Sequence, residues 1–142
     1  MRLSSQEALD RFRAARVVRL ATVDPSGSPH LVPITFAVLD HGAAVVFAVD
    51  HKPKTTTQLR RLANLTANPE VCLLADGWSE DWARLWWARA DGVARVLTTP
   101  DAGAEAGVAA LVERYPQYRE LPPAGPVVRI AVRRWSGWSG AA

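Results

Sequence analysis

The sequence predicts a mainly β fold of the α+β kind, a six-stranded antiparallel barrel with flanking helices. Short runs rich in β-branched residues alternate with turn signals along most of the 142 residues. Helical spacing of apolar residues is confined to three stretches. Successive runs are joined mainly by tight turns rather than helical crossovers, which favours antiparallel pairing.

The chain opens with a helix from about Ser5 to Ala14. Ser4 and Glu7 have the spacing of a capping box, and Ala8, Leu9 and Phe12 share one face. "RVVRLATVD" alternates as a strand does, and "DPSGSP" is a turn. The second strand, "HLVPITFAVLD", contains Pro33, which donates no ladder hydrogen bond and implies an edge, a bulge or the approach of a ligand. "DHG" turns the chain again. "AAVVFAVD" is a third strand, buried on nearly both faces.

A helix then starts near Thr55, with Leu59, Leu62, Ala63 and Thr66 inside and Gln58, Arg60 and Arg61 outside. Asn68-Pro69 ends it. "EVCLLAD" is the fourth strand and "ARLWWARADGVARVL" a long fifth segment. Within that segment Asp91-Gly92 has the form of a hairpin turn, with a bulge in one bent strand as the competing reading. "TTPDAGAEAGVAALVERY" is a helix capped by Thr99, with Pro100 in its first turn and Ala104, Val108, Leu111 and Val112 at helical spacing. "PQYRELPPAGP" reads as a loop and "VVRIAVRRW" as the last strand.

Composition bounds the function. A length of 142 residues suits one domain with a real core, and 49% apolar with 22% charged residues suits a globular chain. No apolar run approaches the ~18 residues of a membrane span. "MRLSSQEALD" turns polar at once, unlike a signal peptide. Cys72 is the lone cysteine, so no intrachain disulfide forms, which fits a cytoplasmic setting. The net charge of +3 is spread thinly and suggests an anionic ligand at least as readily as nucleic acid.

Neither usual nucleotide loop, G-x-G-x-x-G or G-x-x-x-x-G-K-[ST], is present, nor a G-x-S-x-G elbow. His30, His41 and His51 have no partner at metal-ligand spacing. Cys72 lies in the apolar "VCLL" and reads as an inert thiol. With no acid, base or nucleophile standing out, a bound redox cofactor becomes the natural carrier of any chemistry.

Two features stand out against this background. In "FAVDHKPKTTTQLRRL" a helix start gathers Lys52, Lys54, Thr55, Thr56 and Thr57. A helix N-terminus already carries about half a positive charge, so lysines there call for an anion such as phosphate. The plainer reading is a solvated lysine pair beside a threonine cap. The second feature is six tryptophans, four of them in "WSEDWARLWW" at 78, 82, 86 and 87, with Trp135 and Trp138 near the end. Such a belt serves a core or a subunit contact, or else an aromatic wall for a planar ring.

The order of "VVRLATVDPSGSPHLVPITFAV", "DHKPKTTTQLRRL", "NPEVCLLAD" and "RLWWARADGVARV" resembles the flavin/deazaflavin oxidoreductases of the pyridoxamine 5'-phosphate oxidase-like split β-barrel superfamily. The likeness spans residues 16 to 97. "DHKPK" and "LWWARADG" are most similar to its probable deazaflavin-dependent (PPOX-class) members. The resemblance implies an FMN-binding type of split barrel that forms a homodimer with cofactor sites at the subunit interface. It implies coenzyme F420, an 8-hydroxy-5-deazaflavin, with FMN as the alternative, and hydride exchange with a small organic substrate.

Carried over by position, Lys52, Lys54, Thr55 and Thr56 would bind the cofactor phosphate, with Arg60 and Arg61 as further candidates. Pro33, Ile34 and Thr35 would line the ring, and Val49 and Asp50 would sit where the third strand passes it. Trp86 or Trp87, with Arg89, would close the site from the partner subunit, and Tyr118 is a candidate proton donor. "GWSEDW" is a local insertion suited to a lid or an extra dimer contact. A flavin or haem carrier without turnover stays open beside the enzyme. A single-stranded nucleic-acid barrel is disfavoured because the tryptophans bunch in one segment rather than interleaving with Lys and Arg. No membrane contact is expected.

Overall fold

In the computed structural model Ser4 closes a reciprocal capping box with Glu7 and starts α1 (Ser5–Ala14), whose Ala8, Leu9 and Phe12 are buried as their spacing requires. The structure describes residues 1–49, 56–98 and 101–141, with the side chains of 56–60 excepted. Seven strands follow: β1 (Val18–Val23), β2 (Pro29–Ile34), β3 (Ala37–Leu39), β4 (Ala44–Ala48), β5 (Glu70–Gly77), β6 (Trp86–Leu97) and β7 (Val127–Ser139). Three more helices are α2 (Thr56–Ala67), α3 (Ala102–Arg114) and α4 (Pro116–Glu120).

All the strand pairings are antiparallel, and the order is β2-β1-β5-β6-β7-β4-β3. The expected second strand is therefore two, and the sheet has seven strands rather than six. The run from Pro29 to Leu39 pairs first with β1 and then, past Thr35-Phe36, with β4. These halves are the two edges of the sheet. Only two residues separate them, so the sheet must curl until its edges converge. No ladder joins β2 to β3, so the sheet is not a closed barrel; the chain at Thr35-Phe36 links its two edges.

Other expectations shift in informative ways. Asp91-Gly92 lies within one continuous strand and is not a hairpin turn; the β6–β7 register slips there because Arg133 of β7 is an extra, unpaired residue, so the bulge is on the partner strand. A Cβ at Gly92 would stand 2.3 Å from the Ala131 carbonyl oxygen, so the two strands meet there only because residue 92 has no side chain. The last strand continues past Trp135 to Ser139, because the N-terminal residues pair with it through Leu3 and Met1. "PQYRE" is helix α4 rather than loop.

The cap of α3 is Asp101, which accepts from the Gly103 and Ala104 amides, in place of Thr99; Thr99 and Pro100 lie outside the described residues. The inner face of α2 is rotated from the expected one. Leu65 and Asn64 are buried and Arg61 and Leu62 half-buried, whereas Ala63 and Thr66 are exposed. Helix α2 packs over β1 and β6, with Leu65 in the core and Leu62 against it. The expected positions of Gln58, Leu59 and Arg60 lie outside the described side chains.

The main core lies between the curled sheet and α1. Phe12 is its pivot, edge-on to Phe36 at 5.0 Å and to Trp135 at 4.9 Å. A second cluster under α3 joins Val46, Leu97, Leu111, Tyr115 and Val127. Among the described residues no helix is long and apolar enough to cross a membrane. Phe12→Ala is expected to cost about 3–5 kcal/mol in urea unfolding, the range for a buried phenylalanine. Gly92→Ala is expected to lose about 1–3 kcal/mol, since carbonyl backbone cannot step aside.

Candidate functional site

Thr35 and Phe36, the two residues between β2 and β3, have left the ladder and need other partners. Phe36 donates its amide to the Tyr115 hydroxyl at 3.1 Å, and that hydroxyl donates to the Arg16 carbonyl at 2.8 Å. Arg114 donates from Nε to the same oxygen at 3.2 Å, so the phenol is fully used. The Arg114 guanidinium lies 4.7 Å from the Phe36 ring centre and also donates to the Ala15 carbonyl. One helical turn on, the Tyr118 hydroxyl meets Thr35 Oγ1 at 3.0 Å, and the two tyrosine rings meet edge-on at 5.8 Å. Neither Arg114 nor Tyr115 is prominent in the sequence. The only signal is two tyrosines three apart, and these face one way only because α4 exists.

Beside this junction, Pro33 is exposed on the edge strand, while the Ile34 side chain points into the core. Ile34 thus offers backbone alone to anything outside the barrel. Val49 is also buried and donates its amide to the Pro126 carbonyl at 3.0 Å. Asp50, Lys52, Lys54 and Thr55 lie outside the described residues, as does His51. Thr56 is described only as the first residue of α2.

On α2, half-buried Arg61 has a buried Nε without a hydrogen-bond partner, and burial pulls its pKa below the ordinary guanidinium value. No ion pair is formed by Arg61 among the described residues. A desolvated cation without a counter-charge is costly unless something anionic approaches it. Two other polar atoms are stranded on the inner face nearby in the sheet. Thr22 is 1% exposed with an unpartnered hydroxyl, and its cross-strand neighbour His30 has an unpartnered buried Nδ1.

The outer face of the sheet carries the remaining candidates. Trp86 packs against the core, with the Arg11 guanidinium 5.5 Å from its ring centre. Its indole lies so close to the β5 backbone that a Cβ at Gly77 would be 2.1 Å from Nε1. Trp87 points the other way and shares the outer face with Arg89, whose guanidinium is 5.9 Å from the ring centre. Arg89 is paired with Asp91 at 3.0 Å, and Arg19 with Asp76 at 3.1 Å. Pro33, Arg19, Leu74 and Arg89 stand in one row across β2, β1, β5 and β6. Three strand spacings put Pro33 and Arg89 roughly 14 Å apart. Within one chain, therefore, the ring-lining and ring-closing candidates do not meet.

Cys72 lies on that face opposite Asp91. Burial, then the Asp91 carboxylate, push its thiol up and away from the reactive thiolate.

Residues 4–139 match the family described as Pyridoxamine 5'-phosphate oxidase. The chain belongs to that family. Similar solved structures include a conserved hypothetical protein from Mycobacterium tuberculosis, with a TM-score of 0.75 and 24% identity over 97% of this chain and 86% of that one. A FAD-binding protein from Mesorhizobium loti has a TM-score of 0.73 and 22% identity, covering 96% and 95%. HutZ, the haem storage protein from Vibrio cholerae, has a TM-score of 0.71 and 17% identity, again covering 96% and 95%. No curated protein matches. Members of the pyridoxamine 5'-phosphate oxidase family share this split barrel with flanking helices, and the strand break is where the barrel splits.

Tyr115→Phe is expected to destabilise the protein more than Tyr118→Phe. The first strands the buried Phe36 amide, at about 1–3 kcal/mol, and also loses the part-buried bond to the Arg16 carbonyl, whereas the second removes one part-buried bond of about 1 kcal/mol. Urea unfolding of both variants checks the order; equal losses would contradict it.

Proposed function

We propose that the protein is an oxidoreductase that holds a flavin-type coenzyme, F420 in preference to FMN, and passes hydride between it and a small organic substrate. The observation that carries this is Arg61, a half-buried cation with an orphaned Nε on α2, the helix that follows the basic "DHKPK" stretch in sequence. Its need for an anion fits a coenzyme phosphate. Arg61 would hold that phosphate with Lys52, Lys54, Thr55 and Thr56. The several carboxylates on the F420 tail suit a chain of net charge +3 better than FMN does.

When bound, the deazaflavin or flavin ring supplies the hydride chemistry. The chain supplies position and dryness. Pro33, Ile34 and Thr35 offer backbone groups and one hydroxyl to the ring's polar edge, and Val49 and Asp50 lie on the next strand. Tyr118 holds the Thr35 hydroxyl in place and is the phenol nearest that edge. The protein acts as a homodimer in this reading, with Trp87 and Arg89 reaching the ring from the partner while Trp86 stays in its own core. The outer sheet face supports a dimer, since Leu31 is exposed on it.

Carriage of a flavin or haem without turnover is the second reading. The haem storage description of HutZ favours it.

Titrating the purified protein with F420 and with FMN, followed by coenzyme fluorescence, tests the proposal. Arg61→Ala is expected to weaken coenzyme binding by about 1.5–3 kcal/mol, the scale of hydrogen bonds to charged groups. The same change should leave the coenzyme-free protein as stable or more so, because it removes a half-buried cation with no counter-charge among the described residues. Lys54→Ala is expected to weaken binding on a similar scale. Unchanged affinity in Arg61→Ala, or a fall in coenzyme-free stability alone, would sink the phosphate assignment.

A further inference from the structure

The insertion "GWSEDW" contributes Gly77 and Trp78 to a pocket that also holds Trp87 and Arg89. After Gly77 the chain makes a short loop and a turn of 3-10 helix at Trp82–Arg84 before entering β6. Asp81 caps that turn by accepting from the Ala83 amide at 3.1 Å, and Leu85 and Arg84 close it through backbone bonds. The Gly140 amide then donates to the Leu85 carbonyl at 2.8 Å, tying the loop to the end of β7. The loop is thus fixed from both sides, yet it holds Trp78 at 72% exposure.

Trp78 forms a concave site of about 410 Å³ with Leu74, Leu85, Trp86, Trp87 and Trp138. Two charged residues also line it, Asp76 and Arg89, and each already has its counter-charge in Arg19 and Asp91. The site therefore presents indole faces without free charge. Its volume falls within the range of small-molecule pockets. Flat indole walls favour a flat partner, through stacking and burial of apolar area.

We propose that this pocket binds a neutral, planar, fused-ring molecule, and that such molecules are the substrate class of the enzyme. The proposal rests on the coenzyme reading, because Trp87 and Arg89 are the residues placed beside the partner's coenzyme ring and they form the pocket's inner edge. A substrate seated among the tryptophans would lie next to that ring. Neutralised walls select against anionic analogues, since a carboxylate or sulfonate would be desolvated there without a free cation to meet it.

Isothermal titration calorimetry of the full chain with naphthol, and with naphthalene sulfonate as the anionic counterpart, tests this. Runs with and without saturating FMN or F420 separate the two readings. The expected result is saturable naphthol binding, weakened about tenfold in Trp78→Ala and again in Trp138→Ala, on the scale of one lost aromatic stacking contact. Coenzyme affinity should be unchanged in Trp78→Ala, and the sulfonate should bind about tenfold more weakly than naphthol. Absent naphthol binding with coenzyme uptake intact overturns the pocket alone. Naphthol binding without uptake of either coenzyme overturns the coenzyme reading alone. A change of oligomeric state in Trp78→Ala, seen by analytical ultracentrifugation with naphthol affinity unmoved, would make the pocket a chain–chain contact and overturn the proposal.

Discussion

The buried phenol of Tyr115 is the contact on which the rest depends. A single chain run leaves one edge of the seven-stranded sheet and joins the other, and that switch leaves an amide at Phe36 outside any ladder. A buried amide without a partner is costly, so the switch needs a donor–acceptor group delivered from elsewhere. Helix α3 delivers it. The same hydroxyl reaches back to the end of α1 through the Arg16 carbonyl, so two helices and the barrel split share one oxygen. Phe36 can then drop its ring between Phe12 and the Arg114 guanidinium.

This arrangement has a functional side. Thr35 and Phe36, released from pairing, are held by the two tyrosines beside an edge strand that Pro33 keeps from extending. In the proposed function a ligand ring would lie along that edge. Arg61 would supply the other half, a half-buried cation that forms no ion pair among the described residues. Edge and cation together are what the proposed coenzyme would use.

The tryptophans divide by role according to which way each strand residue points. Trp86 and Trp135 face inward, and Trp135 donates its Nε1 proton to the Gly42 carbonyl at 2.8 Å, pinning the β3–β4 turn. Trp87 and Trp138 stand opposite each other across β6 and β7 on the outer face. Trp78 and Trp82 remain exposed on a loop held by capping and backbone bonds. The cost of keeping large indoles in water points to a surface that is covered when the protein works.

Local chemistry was enough to place most elements. The Ser4–Glu7 box, the alternation of β1 and β5, and the Asn68-Pro69 stop are short-range effects, and each element they mark appears where it was expected. The family pattern likewise resides in linear order and was legible from residues 16 to 97. What tertiary structure decided were matters of pairing and facing. Whether Asp91-Gly92 turned or ran on as strand depended on β7 lying alongside both halves of β6. Whether residues 30–40 made one strand or two depended on the sheet's two edges meeting there. The inward roll of Arg61 depended on the barrel rim beneath α2, and the partnership of Thr35 with Tyr118 joined residues 83 apart in sequence. Such contacts carry no local signature, because their free energy comes from neighbours that only the folded chain brings within reach.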